Sequence, residues 1–272
     1  MGDNDVGRIQ RMDREPAENY RGTFAPGLPE LSLGDPLPPG WEGLYFPFSS
    51  TMDGLRPDGT PRDDVLPEFD LPRRMYAGED TVFHRPIRLG ETVEQRVRAG
   101  RVTEKSGRNG RLVFADIERR YFVDGELAVE SIWHDVFLEE GAPPAPPREV
   151  DEVGERSYRH TLDSRRLFRF SAITFNTHRV HYDRDWARRE EGLADLLVHG
   201  PLTRLLMLDA VMNRDGGGRG SERTPVRCSF TATAPLFVDR EITVGVTDGE
   251  DAARVVAVDD AGHLAAKATV HW

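Results

Sequence analysis

The chain has 272 residues, a formal net charge of −11, and is 38% hydrophobic and 31% charged. That length makes one large domain or two modest ones, with enough chain to bury a substantial core. The acidic balance argues against a general nucleic-acid or anionic-membrane binder, and a single cysteine, Cys228, excludes an internal disulfide framework and a thiolate metal cluster.

No run approaches 18 apolar residues, and the opening MGDNDVGRIQRMDREP has no apolar signal core, so a soluble, cytoplasmic protein is expected. All but Lys105 and Lys267 of the 36 basic residues are arginine. Residues 1–40 are rich in proline, glycine and acidic side chains, with a short helix expected around Asp13–Tyr20. Trp41–Phe48 (WEGLYFPF) is apolar enough to be buried, as a short helix. Residues 53–74 carry four prolines and two Asp-Gly turn signals and read as a long loop. Short β-like runs follow at Thr81–Phe83, Thr92–Val102, Leu112–Phe122 and Leu127–Phe137, parted by glycine-containing turns such as Lys105–Gly110.

Gly141–Pro147 (GAPPAPP) is the clearest linker. It divides the chain into a unit over 1–140, a Pro-rich linker over 141–150 and a unit over 151–272. In the second unit, Phe168–Ala187 and Pro201–Met212 have helical apolar spacing. Asp215–Arg223 (DGGGRGSER) reads as a flexible loop, and β-like runs at Val226–Ala232, Glu241–Thr247, Ala253–Val258 and Leu264–Trp272 close the chain.

The two units look alike. Pro86–Val93 (PIRLGETV) sits over Pro235–Ile242 (PLFVDREI), and Gly125–His134 sits over Gly262–His271, which points to a duplication. Each unit has helix material first and an antiparallel meander after it. A meander has one face to cover and two edges to protect. Wrapping each on its own helix and pairing the copies edge to edge gives one continuous sheet with a helix at the centre of each half. That is an α+β double hot-dog.

The chemistry concentrates in Phe170–Ala187 (FSAITFNTHRVHYDRDWA), followed by Val198-His199-Gly200-Pro201. Three readings compete for these residues. They form a polar helix entry with solvated histidines. Alternatively His178 and His181 share a helical face and bind a metal completed by Asp183 or His199. Or a neutral imidazole performs acid–base catalysis beside a helix start whose bare glycine amide suits an oxyanion.

The stretch FSAITFNTHRVHYD resembles the hydratase motif of MaoC-like and (R)-specific enoyl-CoA hydratases. WEGLYF, LPRRMYAGEDTVFHRPIRLGE with KSGRNGRLVF, and SAITFNTHRVHYDR with VHGPL are closer still to the double hot-dog branch. That branch holds mesaconyl-C4-CoA and itaconyl-CoA hydratases and the FAS1-like dehydratase domain. The resemblance implies that His181 is the catalytic histidine and that the Gly200 amide polarises the thioester carbonyl. It places Asn176 where the general motif has a catalytic aspartate, with His178 and Arg179 following. An amide orients water but does not exchange a catalytic proton, so Tyr182 and Asp183 are the candidates for a proton partner.

The implied function is reversible hydration of a 2-enoyl thioester carried on CoA or acyl carrier protein, with short dicarboxylic acyl groups such as mesaconyl or itaconyl among the candidates. No metal and no other cofactor is expected. Substrate contacts fall to Arg179, His178, Tyr182 and His199. Arg179 either pairs with a free substrate carboxylate or anchors its helix to the opposing sheet. The loop Lys105–Arg111, or Arg73, Arg74 and Arg85, meets CoA phosphates or is simply solvated. The first copy is a scaffold forming one wall of the acyl tunnel. A homodimer of the doubled chain is compatible with this reading. A thioesterase, a carrier-bound natural-product dehydratase, lyase or isomerase, and a silent acyl-binding subunit stay as alternatives.

Overall fold

The computed structural model describes residues 5–62, 65–107, 110–139, 146–150, 152–213 and 223–272. The first half runs β1 (Val6–Arg11), α1 (Arg14–Phe24), a 3-10 turn at Trp41–Tyr45, then β2 (Arg73–Phe83), β3 (Thr92–Gly107), β4 (Gly110–Val123) and β5 (Glu126–Leu138). The second half runs β6 (Arg156–Thr161), α2 (Ser164–Thr174), a 3-10 turn at Arg179–His181, α3 (Arg184–Arg189) and α4 (Gly200–Met212). It closes with β7 (Arg227–Ala232), β8 (Glu241–Thr247), β9 (Ala252–Val258) and β10 (Leu264–His271).

All ten strands form one antiparallel sheet in the order β1-β3-β4-β5-β2-β7-β10-β9-β8-β6. The order reads the same from both ends once β1 is equated with β6, β3 with β8, β4 with β9, β5 with β10 and β2 with β7. The similar segments Pro86–Val93 and Pro235–Ile242 lead into β3 and β8, and Gly125–His134 and Gly262–His271 carry β5 and β10. The halves meet where β2 pairs with β7, Gly78 opposite Thr231 and Thr81 opposite Cys228. A Cβ at Gly78 would lie 2.4 Å from the Phe230 carbonyl oxygen, so only glycine admits that approach.

β1 and β6 carry no buried apolar row and escape a search for alternation. Each precedes an aspartate at a helix start, Asp13 before α1 and Asp163 before α2. α1 and α2 pack together through Phe24 and Phe170, ring centroids 6.0 Å apart.

Two expectations need correction. The helix expected over Phe168–Ala187 is broken. α2 stops at Thr174, and Phe175 takes φ +49, a left-handed end that donates its N–H to Ala172 and Ser171. Asn176 then accepts the His178 N–H on its side-chain oxygen at 3.0 Å, a turn that competes with helical bonding. His178 and His181 therefore share no helical face.

The second correction concerns the centres of the two halves. α4 is mostly apolar and, from Leu202 to Val211, buried at every position but Asp209, and rests on β8, β9, β10 and β2. Such nearly complete burial is what a central helix shows. No described helix of the first half matches it. Trp41–Phe48 gives a single 3-10 turn. One face of β4 and β5 is covered instead by loop residues, with Leu66 and Leu71 buried on Val113, Ala115, Ile117 and Phe137. Gly141–Ala145 of the linker, Arg108 and Asn109 of the hairpin, and 214–222 lie outside the described residues.

Candidate active site

The segment before α4 is pinned from two sides. Leu197 donates its N–H to Val180 at 2.9 Å, and Val198 donates to Leu236 at 2.8 Å. The Leu197 carbonyl in turn accepts from His181 Nδ1 at 2.8 Å. A carbonyl only accepts, so Nδ1 carries the proton and Nε2 keeps its lone pair. His181 is 6% exposed. Its ring stacks on His199 at 3.5 Å and 18° and meets His178 edge-on at 5.3 Å and 85°. His199 accepts or donates to Ser171 Oγ through Nε2 at 2.9 Å.

Burial holds all three rings neutral. Desolvation leads in each case and pushes His178 and His181 down to about 3, and His199 well below its ordinary value. Arg74, Arg56 and Arg73 depress His178 further, and the neighbouring imidazoles depress His181 and His199. A neutral imidazole with an open Nε2 is the form that accepts a proton at neutral pH.

Gly200 opens α4 directly after His199, with Pro201 at the next position. Pro201 has no N–H, and the Thr203 amide is spent on the His199 carbonyl at 3.0 Å. Gly200 and Leu202 thus supply the donors of this helix start. A Cβ at position 200 would lie 2.5 Å from Tyr76 Cδ1. Tyr76 is held on β2 by its hydroxyl donating to Glu79 at 3.0 Å and by its contacts with Trp133 and Phe230. Glycine is required there because the first half packs against the helix start.

The remaining expected site residues are placed as follows. Asn176 commits its side-chain oxygen to the His178 N–H, which leaves its two amide donors. Arg179 pairs with Asp183 at 2.7 Å and lies over the Trp186 ring at 3.8 Å, both within its own segment and not on the opposing sheet. Tyr182 is 50% exposed and donates to the Thr177 carbonyl. Asp183 caps α3 by accepting from Trp186 N–H at 3.0 Å. Among the described contacts, neither Tyr182 nor Asp183 hydrogen-bonds to His181. Of the arginines proposed for phosphates, Arg73 pairs with Glu191, Arg74 with Asp135 and Arg85 with Glu91. In the hairpin, Arg111 pairs with Glu104 and Lys105 lies over Phe114.

Sequence reasoning missed the part played by the first half's loop. Thr177 Oγ1 donates to the Gly59 carbonyl at 2.7 Å, and Arg179 N–H donates to the Asp58 carbonyl at 2.8 Å. The Asp58 side chain, 4% exposed, faces His178. The only signal at that place was an Asp-Gly turn. Donor atoms of Asp58, His178 and Glu191 lie within 4.8 Å of one another, the spacing of a metal set. Arg73 already holds Glu191, and the positive charge of Arg56, Arg73 and Arg74 around His178 opposes a cation there.

Comparison with known proteins bears on the whole chain. It is 38% identical over 219 residues to the mesaconyl-C(4)-CoA hydratase of Chloroflexus aurantiacus, spanning 79% of this chain and 76% of that protein. It is 23% identical over 270 residues to the mitochondrial hydroxyacyl-thioester dehydratase type 2 of Schizosaccharomyces pombe, covering 87% of this chain and 88% of the other. The crystal structure of a MaoC-like dehydratase from Phytophthora capsici superposes with a TM-score of 0.71 at 12% identity, covering 98% and 95% of the two chains. That of HtdX from Mycobacterium tuberculosis gives 0.68 at 18%, covering 98% and 99%. These two share the fold. The family described as hydroxyacyl-thioester dehydratase type 2 matches residues 40–238, and with more than half of the sequence inside that match the chain belongs to this family.

Proposed function

We propose that this chain adds water reversibly across the 2,3-double bond of an enoyl thioester, with His181 as the base and the Gly200 helix start as the oxyanion site. The observation that carries this is the buried, neutral His181, whose Nδ1 is committed to Leu197, in stacking contact with the residue before Gly200. In hydration, His181 Nε2 takes one proton from water as the water oxygen bonds to C3. The C2=C3 electron pair moves toward the thioester, whose oxygen becomes an enolate oxyanion. The Gly200 N–H and the positive end of α4 stabilise that charge. C2 then takes the proton back from the His181 imidazolium, and the carbonyl re-forms. The sum is one H and one OH, with no electrons gained or lost, so the scheme requires no added metal or redox cofactor.

Asn176 donates an amide N–H to the attacking water and orients it. The likeness to a mesaconyl-C(4)-CoA hydratase supports a short dicarboxylic acyl group and CoA as the carrier. No described helix is long and apolar enough to cross a membrane, and the same likeness supports a cytoplasmic setting. Each chain contains both halves of the sheet and is the minimal catalytic unit.

The test is a spectrophotometric assay with mesaconyl-C4-CoA, itaconyl-CoA and crotonyl-CoA, with a thiol reagent present. Loss of enoyl absorbance without free thiol, abolished in a folded His181→Ala variant, is the expected result. Thiol release, or full activity in His181→Ala, overturns the assignment.

A further inference from the structure

The acceptor at position 176 is an amide whose oxygen is already used, and Tyr182 and Asp183 are engaged elsewhere. Yet a carboxylate does reach the histidines. It comes from the opposite half of the chain. Asp58 sits in a tight turn in which its Oδ1 accepts both the Thr60 N–H at 2.8 Å and the Thr60 hydroxyl at 2.7 Å. Its Oδ2 is buried with no hydrogen-bond partner among the described residues, and so is His178 Nε2. These two orphaned atoms face each other at 4.0 Å.

The turn is built for this approach. Gly59 takes φ +83, and a Cβ there would lie 1.9 Å from the Thr177 carbonyl oxygen. The Thr177 hydroxyl and the Arg179 N–H hold the turn from the motif side. A buried polar atom without a partner costs about 1–3 kcal/mol. Two such atoms, facing each other beside a proposed catalytic histidine, are better explained as a pair than as two separate losses.

We propose that Asp58 is a positioning residue of the hydration site, accepting a hydrogen bond from His178 Nε2 and so supplying from the first half the carboxylate that position 176 lacks. This rests on the hydratase reading above. A shift of about 1 Å brings the two atoms to hydrogen-bond range. With Nε2–H tied to Asp58, His178 presents Nδ1 as an acceptor. The attacking water then donates one O–H to His181 Nε2 and the other to His178 Nδ1, and accepts from the Asn176 amide. Asp58 takes no proton and touches no substrate. Its effect passes through the tautomer of His178, whose ring meets His181 at 5.3 Å. The charged groups around His178 are Asp58, Glu191, Arg56, Arg73 and Arg74.

Asp58→Asn separates this role from a structural one. The asparagine oxygen still accepts from Thr60, while its NH2 faces His178 Nε2, which must now accept. That forces the proton to Nδ1, and the second acceptor for water is lost. The expected result is a variant that melts with the wild type, keeps KM within about threefold, and loses kcat by about 100-fold or more, as wrong-tautomer variants do. In histidine-labelled protein, the imidazole nitrogen shifts should report Nε2–H for His178 in the wild type and Nδ1–H in Asp58→Asn.

Wild-type kcat in Asp58→Asn overturns the proposal, as does an Nδ1–H His178 in the wild type. The second measurement decides even if the variant folds poorly. Activity lost to a chelator and restored by zinc also overturns it, because Asp58 and His178 would then be ligands. An active His181→Ala variant sinks the hydratase assignment instead, and the nitrogen shifts still read the Asp58–His178 pair.

Discussion

Replacing Gly200 by alanine tests whether the start of α4 is a reaction-oriented element or only a packed one. The added methyl would stand 2.5 Å from Tyr76 Cδ1 and 3.3 Å from Cε1, where carbon atoms settle at about 3.5–4.0 Å. Relief therefore requires a displacement of roughly 1 Å. The obstructing atoms are not the free end of a flexible chain. Tyr76 is fixed by Glu79, by Trp133 at 5.1 Å and by Phe230 at 5.9 Å, so part of the movement falls on the helix start. Overpacking of this kind costs about 1–3 kcal/mol. Moving the amide donors by that much costs about 100-fold in turnover.

Denaturant unfolding and enoyl-CoA hydration should be measured together on Gly200→Ala, Tyr76→Ala and the double variant. Removing the ring makes room for the methyl, so the two changes should combine to less than the sum of their separate stability losses. A folded Gly200→Ala enzyme with kcat/KM within threefold of wild type would refute the oxyanion role. Additive stability changes would refute the steric argument.

Two further outcomes concern pH. Because burial holds His181 down to about 3, its base form is fully present above that value, so kcat/KM should stay level from about pH 8 down to about pH 5. An acid limb near 6.5 would show that the working histidine is solvated. Asp209 is the other case. It accepts from the Tyr20 hydroxyl and Trp41 Nε1, and burial pushes its carboxyl up to about 7. Its folded pKa lies above the unfolded value, so the native state binds the extra proton between about pH 4 and 7, and its contribution to stability falls as pH rises through that window. His178 and His181 act in the opposite sense at acid pH, so the difference between wild type and Asp209→Asn is the quantity to follow. The gap in unfolding free energy between them should change with pH from 4 to 7 and level off above. A pH-independent gap would mean that Asp209 does not titrate there.

The sheet was legible wherever a strand has a buried row to declare it. β4 alternates Val113, Ala115 and Ile117 inward, and its run was read within two residues of its ends. β8 and β9 show the same pattern. β1 and β6 were invisible because their side chains lie mostly in solvent, and their place is set by backbone pairing to β3 and β8. Arg73–Asp80 of β2 also went unread, because only Thr81–Phe83 at its end stands out from a charged stretch. Within the site, the cluster of histidines and the Gly-Pro helix start could be read from adjacency in sequence. The helix break could not, because it rests on Phe175 taking a left-handed φ and on the Asn176 side chain capturing the His178 N–H just after it. Asp58 and Tyr76 were beyond reach. They lie more than 100 residues from the motif they meet, and nothing in PDGT or RRMYAG distinguishes a docking turn from an ordinary one.

The asymmetry of the two halves follows from one exchange. In the second half a helix buried at nearly every position, α4, covers the sheet and offers its first amides at the site. In the first half that cover is given by Leu66, Leu71 and the Phe69 ring, which lies 4.7 Å from Phe137. A helix there would carry its own N-terminus and the rudiments of a second site. A loop gives up that possibility, but it is free to run across the junction, and its turn at Arg56–Thr60 does so, closing on Thr177 and Arg179. This closure sets Asp58 against His178. The loop that stands in the first half in place of a central helix is thus the one that, on the proposed reading, brings a carboxylate to the second. On the proposed reading, an asparagine at position 176 is compatible with hydration because the acidic group comes instead from Asp58, about 120 residues away in sequence and 4.0 Å from His178 Nε2.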